Sequence, residues 1–128
     1  MSDKTLQIDL NDLIELVARV ARPKTKREAP IAVGTYCIVR CRDAGVHAGQ
    51  YESHNGREVV LRDSRRIWRF VGAQTLSEIA VYGCTGPNYK ESKIAPVLPI
   101  IVLGDACEII PCHPAGESFL RGAVEYKC

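Results

Sequence analysis

Only three of the 128 residues are histidine, two are phenylalanine, one is tryptophan and one is methionine; aromatic side chains total 6%. No apolar run approaches the roughly 20 residues that cross a bilayer. The longest, 95–103, is interrupted by Pro96 and Pro99. The opening Met1-Ser2-Asp3-Lys4-Thr5 lacks the apolar core of a signal peptide, so a cytoplasmic location is expected. Catalytic signatures are missing as well: there is no G-x-S-x-G elbow, no H-E-x-x-H pair and no phosphate-binding P-loop. His47, His54 and His113 lie in no recognised motif, and Cys84, beside Gly83, has no sequence mark of an activating partner. A binding protein is expected rather than an enzyme, with no cofactor and no metal.

Neither sign of charge dominates. Seventeen Lys and Arg stand against 15 Asp and Glu, a net charge of +2 that implies no polyanionic partner by itself. The distribution says more. Residues 31–72 hold seven cations, all arginine, against four acids, whereas 73–128 are net acidic. Arginine is the side chain whose planar fork matches phosphate and whose plane stacks on bases. The apolar fraction of 46% and charged fraction of 25% are those of an ordinary globular domain. Six cysteines would suit a disulfide framework in a small secreted chain, but in a cytosolic chain they are expected reduced. Cys37 and Cys41 are separated by three residues and Cys107 and Cys112 by four, neither being the tight C-x-x-C of zinc knuckles. The first pair reads as buried strand cysteines, since a free thiol behaves as a small hydrophobe. Cys112-His113 sits between two prolines and reads as a loop.

Three pieces follow in order. Asp9 can cap a helix whose Leu10, Leu13, Ile14, Val17, Val20 and Ala21 form one apolar stripe, ended by Pro23. The polar stretch 23–30, bounded by prolines, reads as a linker, so 1–32 is taken as an N-terminal helix and linker that serves oligomerisation. The stripe must be buried either on its own domain or on another protomer. Residues 33–128 are taken as an antiparallel β-rich ligand-binding domain. Alternation predicts strands over 34–42 and 46–53, the second with a bulge or bend at Gly49. Asn55-Gly56 predicts a hairpin into a strand over 57–62, and Asp63-Ser64 a further turn into 65–70. Thr75 and Glu78 form a capping box for a helix that ends at Gly83. Strands near 98–103 and 106–110 and a weaker helix over 114–120 complete the expectation. The class is α+β: an N-terminal amphipathic helix, then a curved antiparallel sheet with one or two short helices.

The constellation with most chemical content is Arg65-Arg66-Ile67-Trp68-Arg69-Phe70. On a strand, Arg66, Trp68 and Phe70 point one way and Arg65, Ile67 and Arg69 the other. One face then presents a guanidinium beside two rings, and Arg40 and Arg42 share a face of the first strand. Rings hold a base by stacking and guanidinium forks hold phosphate. The competing account makes Trp68 and Phe70 core residues with the arginines as a solvated rim.

The run Ile38-Val39-Arg40-Cys41-Arg42-Asp43-Ala44-Gly45-Val46-His47-Ala48-Gly49, then Arg57-Glu58-Val59-Val60-Leu61, Arg65-Arg66-Ile67-Trp68, Gly72-Ala73, Thr75-Leu76-Ser77-Glu78 and Glu108-Ile109-Ile110-Pro111 resembles a family of small phage-encoded domains. Its pattern is V-R-x-x-x-A-G-V-x-x-G, R-R-[IL]-W-x-[WF]-x-G-A and E-I-[IL]-P. With the added N-terminal helix the chain is similar to the phage Thoeris anti-defence proteins of the first type. The resemblance spans roughly 33–112; the loop 86–96 departs most from it. It implies a sponge that binds the cyclic ADP-ribose isomer made by TIR-domain enzymes, without degrading it, and so silences host Thoeris immunity. It also implies a homo-oligomer, a dimer or hexamer, with pockets between protomers that in some members hold cyclic oligonucleotides. The ligand-binding residues implied are Arg40, Arg42, Arg66, Trp68, Phe70, Ser77 and Lys93, with Lys90 as an alternative to Lys93. No membrane partner is expected. The rival from another class is a small β-barrel of the Sm kind that binds RNA or single-stranded DNA. A third reading is a structural phage protein whose helix drives assembly.

Overall fold

Residues 31–127 are described by the computed structural model; the expected N-terminal helix and linker lie outside them. The polypeptide of this region runs through strands β1 (Tyr36–Cys41), β2 (Val46–Asn55) and β3 (Glu58–Arg69), helix α1 (Leu76–Tyr82), a 3₁₀ turn (Tyr89–Glu91), strands β4 (Lys93–Ile94), β5 (Leu98–Leu103) and β6 (Ala106–Pro111), and helix α2 (Pro114–Gly122). The pairing is antiparallel throughout these strands, in the order β4-β3-β2-β1-β6, with β5 also paired to β3. An α+β fold with a six-stranded antiparallel sheet and two helices is therefore what this region forms.

The sheet wraps because β5 and β6 are joined by a short turn yet pair with strands at different places. β5 lies on β3 from Val59↔Leu103 to Ser64↔Leu98, and β6 lies on β1 from Cys37↔Pro111 to Cys41↔Ala106. Strand alternation then sorts side chains into two cores. Cys37, Val39, Cys41, Tyr51, Val59, Leu61 and Leu103 fill the inside of the wrap. Tyr36, Ile38, Ala48, Ile67 and Ile94 form the other face, where Ile79, Ala80 and Cys84 of α1 and its flank and Leu120 of α2 cover them. Cys37 and Cys41 are both buried in strand β1.

The turn expected at Asp63-Ser64 is absent, and the two expected strands are one. Opposite it, Ala48↔Arg65 and Gln50↔Arg62 leave an extra residue on β3, a bulge at which Asp63 adopts φ 48°. Gly49 makes this possible: a Cβ there would lie 3.0 Å from both the Arg62 carbonyl oxygen and the Ser64 Cα. The bulge bends β3 without ending it, so β2 pairs with it along its length. The hairpin turn is also one residue later than expected. Asn55 pairs with Glu58, leaving Gly56-Arg57 as the central residues, and Gly56 supplies the positive φ of 62° that a glycine-first hairpin turn requires.

Local signals hold elsewhere. The Thr75 hydroxyl accepts from the Glu78 N–H at 3.1 Å, and the Glu78 carboxylate accepts from the Gln74 N–H at 2.5 Å. Pro114 opens α2 at a first-turn position, where its missing N–H costs nothing. The short strand β4 falls where a loop was expected, and it has a specific anchor. Arg65, only 3% exposed, donates Nε to the Ala95 carbonyl at 2.8 Å. Its Nη1 donates to the Leu120 and Ala123 carbonyls at 2.8 and 2.7 Å. One buried guanidinium thus ties β3 to β4 and to the end of α2.

Candidate functional site

β4 pairs with the end of β3 as Ile67↔Ile94 and Arg69↔Lys93, with a register shift between Ile67 and Arg69. On its other edge it receives the segment 123–127 through a parallel bridge, Ile94↔Glu125, and a hydrogen bond from the Tyr126 N–H to the Ile94 carbonyl at 2.7 Å. Between these elements opens a cleft of about 420 Å3 lined by Trp68, Arg69, Lys93, Ala95, Pro96 and Tyr126. That volume falls in the range of small-molecule sites.

Each aromatic wall of the cleft carries a cation. The Arg66 guanidinium carbon lies 4.1 Å from the centre of the Trp68 ring, and the Lys93 ammonium 4.9 Å from that of Tyr126. With Arg66 stacked on it, Trp68 is still 60% exposed, which is unusual for the largest apolar side chain. Arg69 and Lys93 stand directly opposite each other on neighbouring strands, a like-charge placement that is destabilising. Among the described residues no carboxylate lines the cleft. Two rings and two cations, with no carboxylate among the described residues of the lining, are chemically suited to an aromatic anion.

The seven residues expected to bind ligand are divided by the fold. Trp68 and Lys93 line the cleft, and Arg66 stacks on Trp68 from behind it. Phe70 does not share their position: past the register shift it is half-buried and packs against the core beneath the helices. Arg40 pairs across to Val46, whose partner on β3 is Ile67, so it occupies the sheet face opposite to Arg66. There its Nε donates to the Glu108 carboxylate at 2.7 Å, and that hydrogen bond raises its pKa above the ordinary arginine value. Arg42 is exposed beyond β1, its N–H bonded to the Asp105 carbonyl at 3.1 Å, and Ser77 is exposed on α1. Lys90 lines a different cleft.

Two cleft residues escape sequence reasoning. Alternation places Arg69 on the face opposite Trp68, and the register shift reverses that. Tyr126 arrives from a segment with no strand pattern, and only a bridge to β4 brings it there. His47, behind Arg66, donates its Nε2 proton to the Ala44 carbonyl at 2.8 Å. Burial lowers its pKa; that hydrogen bond opposes the shift in part, and the nearby Arg66 charge adds a smaller lowering effect. Protonation of the ring is thereby disfavoured.

Residues 34–120 match the model of a family described as a domain of unknown function, DUF6948. The chain belongs to that family. The matched span of the DUF6948 domain begins just before β1 and ends within α2, so it includes Trp68, Arg69 and Lys93 and leaves Tyr126 outside. No curated protein and no solved structure matches the chain. Among the described residues no cluster of three or more His, Cys, Asp or Glu is placed to hold a metal ion, and no helix is long and apolar enough to cross a membrane.

Proposed function

We propose that this DUF6948 protein binds and sequesters a cyclic ADP-ribose-type nucleotide without turning it over, acting in the host cytoplasm as a phage sponge against TIR-derived Thoeris signals. The observation that carries the nucleotide part is the cleft itself, in which Trp68 and Tyr126 offer ring faces and Arg69 and Lys93 offer cations, with no acid among the described residues of its lining. An adenine ring stacks on an indole, and a pyrophosphate neutralises the Arg69–Lys93 pair, offsetting their like-charge repulsion. The identity of the signal and the anti-defence role rest on the sequence resemblance. Oligomerisation rests on the apolar stripe of residues 10–21, and its size, a dimer or hexamer, on the resemblance; deleting residues 1–22 then lowers the mass seen by light scattering, and an unchanged mass overturns that part.

The chain's single tryptophan is Trp68, so base stacking reports itself as quenching of intrinsic fluorescence. Titration with a TIR-enzyme product mixture, followed by heat release and mass spectrometry, separates the outcomes. Intact signal in the released fraction supports sequestration, whereas a hydrolysis product signifies an enzyme. Trp68→Ala is expected to weaken binding about 5- to 150-fold, the range for loss of one stacking ring. Arg69→Lys keeps the charge but loses the bidentate fork and weakens binding as well. Normal affinity in a folded Trp68→Ala variant, scored by loss of free ligand rather than by fluorescence, refutes the site.

A second reading has its own observation. The wrapped sheet, β6-β1-β2-β3-β5 with a short β5–β6 turn, has the strand order of a small closed barrel of the Sm kind, for which the ligand is RNA or single-stranded DNA. Affinity for a polymer falls steeply with salt as counterions are released, whereas affinity for one small dianion falls far less.

A further inference from the structure

Strand β4 and the segment 123–127 have a second side. Lys93, Ala95 and Tyr126 face the cleft already described, whereas Ser92, Ile94 and Val124 line a separate one of about 450 Å3. Its far wall is made by Tyr89 of the 3₁₀ turn and Phe119 of α2. The two clefts share no lining residue, so the second does not depend on the nucleotide reading of the first.

The second cleft is held open by fixed parts. Its two rings are seated on glycines. A Cβ at Gly72 would lie 2.9 Å from the Tyr89 Cβ, and one at Gly83 would lie 2.5 Å from the Phe119 Cβ. Both glycines have positive φ, 92° and 79°, where other residues are strained. The rings meet edge to face, 6.5 Å between centroids and 64° between planes. The Ser92 hydroxyl accepts from the Val71 N–H at 2.9 Å and donates to the Val71 carbonyl at 3.2 Å. Arg65 fixes the backbone at Ala123. Rings and rims so constrained cannot relax together to close the gap, and a preformed apolar cavity is what small-molecule sites have in common.

The polar inventory selects the ligand. Apart from Ser92, whose hydroxyl is already used, the side chains that offer polarity are the Lys90 ammonium and the hydroxyls of Ser118 and Tyr89; among the described residues no carboxylate lines the cleft. We infer that the Tyr89–Phe119 cleft is a second binding site that takes a small aromatic monoanion, its ring against the Tyr89 and Phe119 wall and its charge toward Lys90.

The test is an NMR titration of the full ¹⁵N-labelled chain with indole-3-acetate and, separately, with the neutral indole-3-acetamide. Shifts are expected at Tyr89, Lys90, Ser118, Phe119 and Val124, with the acid bound up to about five-fold more tightly than the amide, the range of an exposed charge pair. Lys90→Gln should bring the acid to the affinity of the amide and keep the shift pattern. Ser118→Trp, at an exposed helix position, should block both ligands in a protein that still melts cooperatively. The proposal is overturned by shifts that gather at Trp68 or along the exposed Leu98, Ile100 and Val102 row, by acid and amide binding equally, or by no shifts at millimolar ligand. Loss of nucleotide binding with these shifts intact would end the first reading and leave this one standing.

Discussion

Arg65 is the residue on which the arrangement of both clefts depends, and replacing it by methionine shows by how much. The side chain is 3% exposed and its fork reaches three carbonyl oxygens, those of Ala95, Leu120 and Ala123, at 2.7 to 2.8 Å. Hydrogen bonds to charged groups contribute about 1.5–3 kcal/mol each, so losing three removes roughly 4.5–9 kcal/mol of gross interaction. Methionine fills similar space without a charge, and this relieves a desolvation cost of several kcal/mol that the buried guanidinium carries. That cost is visible in the direction of its pKa, which burial lowers. The Ala95 and Ala123 carbonyls, near the rims of the clefts, regain water in part. The balance is a loss of about 2–4 kcal/mol. For a domain of this size each kcal/mol moves the melting temperature by about 4–8 °C, so Arg65→Met should melt roughly 8–32 °C lower. Arg65→Lys should recover little, because one ammonium cannot span three carbonyls as a planar fork does. Hydrogen exchange adds a local readout: the Tyr126 amide, bonded to Ile94, should lose protection before the β1–β2 ladder does. Melting of Arg65→Met within about 3 °C of the parent, or full rescue by lysine, would refute the reasoning.

The helix cap and the buried histidine give two further checks. Thr75→Ala removes the hydroxyl that accepts from Glu78 and should lower stability by about 1 kcal/mol, read as a shift in urea midpoint at constant slope; no shift would mean that water caps the helix equally well. His47 has a pKa held below its ordinary 6.5 in the folded protein, chiefly by burial. As pH falls below about 6.5 the unfolded chain takes up a proton that the folded one resists, so this residue's contribution is retained at neutral pH and lost on acidification. His47→Gln, which can still donate to the Ala44 carbonyl, should flatten the loss between about pH 7 and 5; an unchanged slope would show that other groups set it.

What the sequence reveals of this fold follows the range of the interactions that decide it. Thr75 with Glu78, and Pro114 at the start of α2, act within four residues, and both are where the pattern puts them. The Asn-Gly turn is found one residue late because cross-strand register, not the dipeptide, chose the central pair. Asp63-Ser64 has the composition of a turn and lies in a strand, because Gly49 on the opposing strand admits the bulge. The site is divided in the same way. Trp68 and Arg66 are adjacent on one strand face and come together as alternation requires. Phe70 and Arg69 exchange sides through a single register shift, which no period-two reading anticipates. Arg40 is matched by Glu108, 68 positions away, and Tyr126 reaches the cleft only by pairing with Ile94.

Strand β3 is paired on both edges, to β2 on one and to β5 and then β4 on the other, and this sets an order of events in folding. The β2–β3 hairpin closes a two-residue loop at minimal entropic cost. The β1–β6 ladder joins Ile38 to Ile110 and must wait for nearly the whole domain to be threaded between them. Non-local pairing of that kind comes late and slows folding. Truncating Val59 to alanine in the hairpin should therefore slow refolding, while truncating Ile109 in β6 should mainly speed unfolding, as stopped-flow chevrons would separate; the reverse assignment would place the nucleus at the β1–β6 seam. With the seam closing last, it is also the seam that opens first, and the inner core of Cys37, Val39 and Cys41 meets solvent, and any oxidant, along that edge.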